Sequence, residues 1–146
     1  MATDVTGHEA EGLDKATEDA LINITGGVDA AVALNAVDAA VALNKARHEL
    51  ADATIAERNA VAHERLSRAY SEQLLVDEVG GDEKALGSNE DARKRRFRIE
   101  LDKDPVYQVS VQALDVAVER LIVATRDFEC AKTNYDVALI RAGLYR

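Results

Sequence analysis

From Tyr107 onward a large apolar or aromatic side chain returns every seventh residue: Leu114, Leu121, Phe128, Tyr135. A second seven-residue series, Ser110, Ala117, Ala124, Ala131 and Ala138, runs beside it, three positions on. Positions three and seven apart lie on one face of an α-helix. The two series therefore predict a heptad seam with large residues at one core position and small ones at the other. A third series, Val109, Val116, Val123, Cys130, Val137 and Leu144, widens the apolar face beyond one seam. It predicts that the helix packs against a second element or subunit on that side, with Cys130 as a small buried apolar residue. The ends of this helix are marked chemically. Asp104 precedes the only Pro, Pro105, as an N-cap before the first helical position, and Gly143 follows Ala142 as a stop.

Between Gly26-Gly27 and Asp77 the chain holds no Pro and no Gly. Val28 to about Val76 reads as one helix, roughly 70 Å long at 1.5 Å per residue. Its start repeats itself: residues 28–35 (Val-Asp-Ala-Ala-Val-Ala-Leu-Asn) recur as residues 37–44. An offset of nine residues turns a helix by about half a turn beyond two full turns. The repeat thus predicts Val32 and Leu34 on one side, Val41 and Leu43 on the other, and a helix buried between neighbours. Leu50, Ile55, Val61, Leu66, Tyr70 and Leu74 continue a looser stripe. Glu57, Arg58, Glu64, Arg65 and Arg68 are expected on the solvated side, Glu64 and Arg68 at ordinary ion-pair spacing. Gly80-Gly81 and Gly87 mark a turn region. A shorter helix follows, capped by Ser88 or Asn89 with Glu90 and Asp91 in its first turn. Within it Phe97, Ile99 and Leu101 alternate as a strand would, so the pattern there is mixed.

Composition changes this picture in one respect. The chain of 146 residues is 47% hydrophobic but 4% aromatic, with no Trp, and much of the apolar count is Ala. Ala buries little area, and burial contributes about 25 cal/mol per Å². A chain with so little side-chain volume is expected to recruit further copies of itself. The expected architecture is all-α: a long antiparallel hairpin of residues 28–76 against 105–142, a short basic helix bridging them, and hairpins assembling into an oligomeric bundle. Residues 1–27 carry Asp4, Glu9, Glu11, Asp14, Glu18 and Asp19 against Lys15 alone. They are expected to form an acidic, partly disordered segment ahead of a hairpin domain at 28–146. They lack a basic start followed by an apolar core, and no run approaches the roughly 20 apolar residues of a membrane span. The expectation is a cytoplasmic protein with no membrane partner.

Catalytic signatures are absent from the sequence. His8, His48 and His63 are scattered, and His48 and His63 are fifteen apart rather than at ligand spacing. A lone Cys forms no intrachain disulfide. There is no nucleophile elbow and no phosphate loop. The expectation is a non-enzyme without metal or cofactor.

One feature departs from the acidic background, which carries a formal net charge of −9. Arg93, Lys94, Arg95, Arg96 and Arg98 place five cations within six residues. Arg suits bidentate contact with phosphate or carboxylate. Two readings stay open. In one, these residues with Tyr107 form an anion site for a phosphorylated small molecule or a nucleic-acid backbone. In the other, they neutralise Asp77, Glu78, Asp82, Glu83, Glu100 and Asp102, and Tyr107 packs in its heptad.

The stretch from Asn89 to Leu114, with Asn89-x-x-x-Arg93 and then Asp104-Pro105-x-Tyr107-Gln108, resembles a segment of small helical proteins encoded by tailed phages. Some of those sit near recombination genes. In style the chain is also similar to phage-encoded helical oligomers that sequester the nucleotide signals of bacterial immunity. The resemblance implies a small oligomeric binding protein holding an immune signalling nucleotide, working in a host cytoplasm. The alternative is a structural, scaffold or recombination-accessory protein acting through protein or nucleic-acid contacts.

Overall fold

A computed structural model of the chain describes residues 30–144. The expected acidic segment 1–27, His8 and the first positions of the repeat lie outside the described residues. Every regular element among the described residues is helical: α1 (Ala30–Glu78), a 3₁₀ turn (Glu83–Leu86), α2 (Glu90–Leu101) and α3 (Pro105–Arg141). The two long helices pack against each other. The described residues fall into two compact units, one of residues 30–45 with 129–144 and the other Ala46–Phe128.

Local chemistry sets the boundaries. Both long helices end in the same way, with a glycine in the left-handed region. Gly80 (φ 69°) donates to the Asp77 carbonyl, and Gly81 reaches back to Val76 at 2.9 Å. Gly143 (φ 67°) donates to Ile140, and Leu144 reaches back to Leu139 at 3.0 Å. This paired capping satisfies carbonyls that the helix leaves open, and any residue with a Cβ is strained at that φ. Asn89, not Ser88, caps α2, its side chain accepting from the Ala92 amide at 2.8 Å. Phe97, Ile99 and Leu101 are helical, because the cap and the run of good helix formers around them outweigh a three-residue alternation.

In the Ala46–Phe128 unit the seam is built from small side chains. Ala53 is fully buried, and Ser71, Ser110, Ala117 and Ala124 are nearly so. The α3 series predicted from the heptads is the packed one: Tyr107, Leu114, Leu121 and Phe128 are half-buried beside Ser110, Ala117 and Ala124. Its partner on α1 is a matching series, Ala46, Ala53, Ala60 and Ser67, flanked by Leu50, Glu57, Glu64 and Ser71. The stripe expected on α1 does not form the core. Ile55, Leu66, Tyr70 and Leu74 are exposed, while Leu50 and Val61 are half-buried. Small residues let two backbones approach closely, which turns longer side chains outward. Glu64 is likewise not on the solvated side. It faces α3 and accepts the Tyr107 hydroxyl at 2.8 Å, and Arg68 pairs with Glu72 instead, at 3.0 Å.

The third α3 series is exposed rather than covered. Val109 and Val116 keep 64% and 66% of their surface, and Val123 is exposed as well. Cys130 is exposed, not buried, because it belongs to that outward series.

In the unit of residues 30–45 and 129–144, Ala33, Ala36 and Ala142 are buried. Equivalent positions of the repeat do fall on opposite sides: Val32 is half-buried and Val41 exposed, Leu34 exposed and Leu43 half-buried. The expectation that Val32 and Leu34 share a side, as Val41 and Leu43 would, is wrong. Residues two apart on a helix diverge by about 200°.

The loop into α3 is held from both sides. Asp104 accepts the Val106 amide at 2.9 Å and the Tyr107 amide at 3.3 Å, and its other oxygen accepts the buried Ser71 hydroxyl from α1. That hydroxyl also lies near the Ser67 carbonyl, but it has one proton and the carboxylate is the stronger acceptor. The Ser71 bond is the main influence holding the Asp104 carboxyl below its usual range, with the two amides adding to it. Such a group stabilises the fold above its unfolded pKa of about 3.9, and that stability is lost as pH falls through the lower folded value. Asp104→Ala should cost about 1 kcal/mol at pH 7, a typical loss for an N-cap. In denaturant titrations the gap to wild type should close as pH drops below 3.9. An undiminished gap in acid would show that the carboxylate charge does not matter there.

Candidate functional site

The Ala46–Phe128 unit holds a half-open cleft of about 640 Å³ where α2 faces the C-terminal part of α1 and the first turn of α3. α2 supplies one wall through Asp91, Lys94, Arg95, Arg98, Leu101 and Asp102. These positions are three or four apart, so a single helical face carries them. Arg68 and Glu72 of α1 face this wall, and Phe97 and Tyr107 add aromatic surface.

The structure therefore sorts the basic run. Lys94, Arg95 and Arg98 line the cleft together with Tyr107. Arg93 and Arg96 do not. Arg93 is half-buried elsewhere on α2, and Arg96 is paired with Glu100 at 3.3 Å. Lys94 also contacts Glu90 one turn earlier, at 2.6 Å, and that pair draws the Glu90 carboxyl below its usual range. Of the carboxylates expected to neutralise the run, only Glu100 does so among the described residues, through Arg96. Among the described residues no carboxylate makes an ion pair with Arg95 or Arg98.

The cleft is positioned from beneath. Leu101 is 5% exposed and is the only buried side chain larger than Ser among the described residues. It also borders a smaller cavity of about 240 Å³ beside Ser71, Leu74 and Leu75. The Gln108 side chain donates to the Leu101 carbonyl at 3.1 Å, so α3 caps the end of α2. Tyr107 is fixed at its tip by Glu64. Burial first, and then that hydrogen bond, push its hydroxyl above the usual tyrosine range. Arg68 is held charged by its bond to Glu72.

Arg68, Glu72 and Phe97 line the cleft without being among the basic residues of the run that marks it in the sequence. For Phe97 helix arithmetic from the Asn89 cap was available. Arg68 and Glu72 reach the cleft only through the packing of α1, for which the sequence carries no direct sign.

Chemically the cleft has four cations, Arg68, Lys94, Arg95 and Arg98, against three carboxylates, Glu72, Asp91 and Asp102. The mixture suits a compact anion that also offers hydrogen-bond donors and a flat apolar part. Among the described residues no cluster of His, Cys, Asp and Glu is arranged to hold a metal, and no helix is long and apolar enough to cross a membrane. Fold and site together define an all-α protein with a half-open, cation-walled cleft. No family model, curated protein or solved structure matches the chain.

Proposed function

We propose that the chain is a non-catalytic, self-associating binding protein whose cleft holds a phosphate-bearing ligand. The observation that carries this reading is the placement of Lys94, Arg95 and Arg98 on one wall, with Arg95 and Arg98 making no ion pair among the described residues. Two guanidinium groups three residues apart, about 4.5 Å along one helix face, are placed to grip phosphate oxygens, and Phe97 and Tyr107 offer surface for a ring. The carboxylates in the same cleft and the net charge of −9 favour a compact anion over long nucleic acid. A signalling nucleotide is the first ligand to try. It also fits the likeness in style to phage-encoded helical oligomers that sequester nucleotide signals, in which case the site of action is the host cytoplasm.

A second reading, a scaffold or recombination-accessory role through protein or nucleic-acid contacts, draws on the outward apolar residues of α3. A calorimetric titration with inorganic pyrophosphate and a panel of linear and cyclic nucleotides separates the two. Hydrogen bonds to charged groups contribute about 1.5–3 kcal/mol each, and 1.4 kcal/mol is tenfold in affinity. Arg95→Ala/Arg98→Ala should therefore weaken binding roughly 100-fold or more, while Arg96→Ala, outside the cleft, leaves it unchanged. Equal effects from Arg96→Ala would remove the cleft from the account.

A further inference from the structure

The outward face of α3 has a composition that selects its partner. Within the Ala46–Phe128 unit, Val106, Ala113, Arg120 and Asp127 alternate with Val109, Val116 and Val123 at spacings of three and four. All seven are exposed, Val106, Val109 and Val116 to more than 60%. This is a second heptad seam on the helix, and nothing among the described residues covers it. Along residues 105–141 the charge is four cations against five carboxylates, close to neutral in a chain that carries −9. Two copies that repel each other elsewhere can approach here.

The two charged positions in the seam decide the orientation. Parallel, in-register pairing would set Arg120 on Arg120 and Asp127 on Asp127. Like charges facing each other in an interface repel and disfavour that arrangement. Antiparallel pairing about a two-fold axis beside Val123 sets each Arg120 against the partner's Asp127, twice, with Val123 on either side of the axis. Within one chain the two residues are about 10 Å apart along the helix and do not pair. Among the described residues Asp127 is held only by its neighbour Arg126, at 3.3 Å on an exposed surface, a contact of little strength.

We propose that this face of α3 docks a second copy of the same chain, antiparallel, with reciprocal Arg120–Asp127 ion pairs flanking Val123. The proposal rests on the self-association in the reading above and gives it a surface and an orientation. It is independent of whether the cleft binds a ligand.

Sedimentation velocity on the full chain tests it. Arg120→Asp alone and Asp127→Arg alone each bring two like charges together in the homodimer, and each should weaken self-association roughly tenfold or more. Mixing the two single variants creates a heterodimer with both pairs restored, and association should return to near the wild-type level. That rescue also shows that each variant is folded. In addition, Val123→Cys with Cys130→Ser should form an intersubunit disulfide under mild oxidation, whereas Cys130 of the wild type should not. If wild-type protein is monomeric at all accessible concentrations, self-association falls and this face with it. If it is oligomeric but neither single variant weakens it, or a Cys130 disulfide forms readily, self-association stands and the antiparallel α3 interface is wrong.

Discussion

Replacing Leu101 with Ala should cost the fold roughly 2–5 kcal/mol, the range for removing a large buried aliphatic side chain. Few positions here concentrate so much. Among the described residues the other buried ones are Ala and Ser, which contribute little volume each, while Leu101 is nearly sealed at the end of α2. It anchors a twelve-residue helix with few other apolar contacts; Ile99 is exposed and Phe97 half-buried. The loss should appear first as local detachment of α2, since the long helices keep their own seam. Equilibrium denaturation would report the overall loss, and amide exchange would locate it. Protection should fall across α2 and its cleft wall and persist around Ala53 and Ala117. A change below 1 kcal/mol, or uniform loss of protection, would contradict the role given to Leu101.

The second large effect runs in the opposite chemical direction. Ala53 has no exposed surface at all. Ala53→Leu adds three carbon atoms where α1 and α3 approach through small side chains. Overpacking of a filled core typically costs about 1–3 kcal/mol and sometimes more. Here neither backbone can yield without separating the flanking small residues too. Ala51→Leu, two residues away and exposed, is the matched control and should stay within about 0.5 kcal/mol of wild type. If both variants melted alike, the close approach of the helices would be wrong at this point.

These two positions show what the sequence made legible. The α3 heptads, the Asp104-Pro105 start, the Asn89 cap and the Gly80 and Gly143 stops depend on local chemistry, and each appears where the residues place it. The α1 seam was hidden. Ala46, Ala53 and Ala60 are indistinguishable by type from exposed alanines such as Ala51 and Ala62, so attention falls on Leu66, Tyr70 and Leu74, which turn outward. Apolar patterning identifies a core only where large residues fill it. Glu64 misled for a related reason: a carboxylate at a seam position reads as surface until its partner, the Tyr107 hydroxyl, is seen across the helices. The cleft was half legible. The basic run announced itself, but which of its members converge depends on the helical phase set by Asn89, and the opposing Arg68–Glu72 pair depends on tertiary packing.

The third α3 series predicts packing against another element or subunit. Within the chain it meets none among the described residues, and in the proposed dimer the same residues supply the surface for a second copy. A chain rich in Ala buries little by itself, so outward Val and Ile side chains are the natural reserve for association.

Native mass spectrometry of protein purified from cells, then incubated with linear and cyclic nucleotides, tests the central claim most directly, because it reports bound mass and subunit number together. A discrete oligomer should gain a few hundred daltons (roughly one nucleotide) per occupied cleft, with the gain lost in Arg95→Ala/Arg98→Ala and kept in Arg96→Ala. A discrete oligomer that never gains mass with any phosphate-bearing ligand would contradict that claim and leave the scaffold reading in its place.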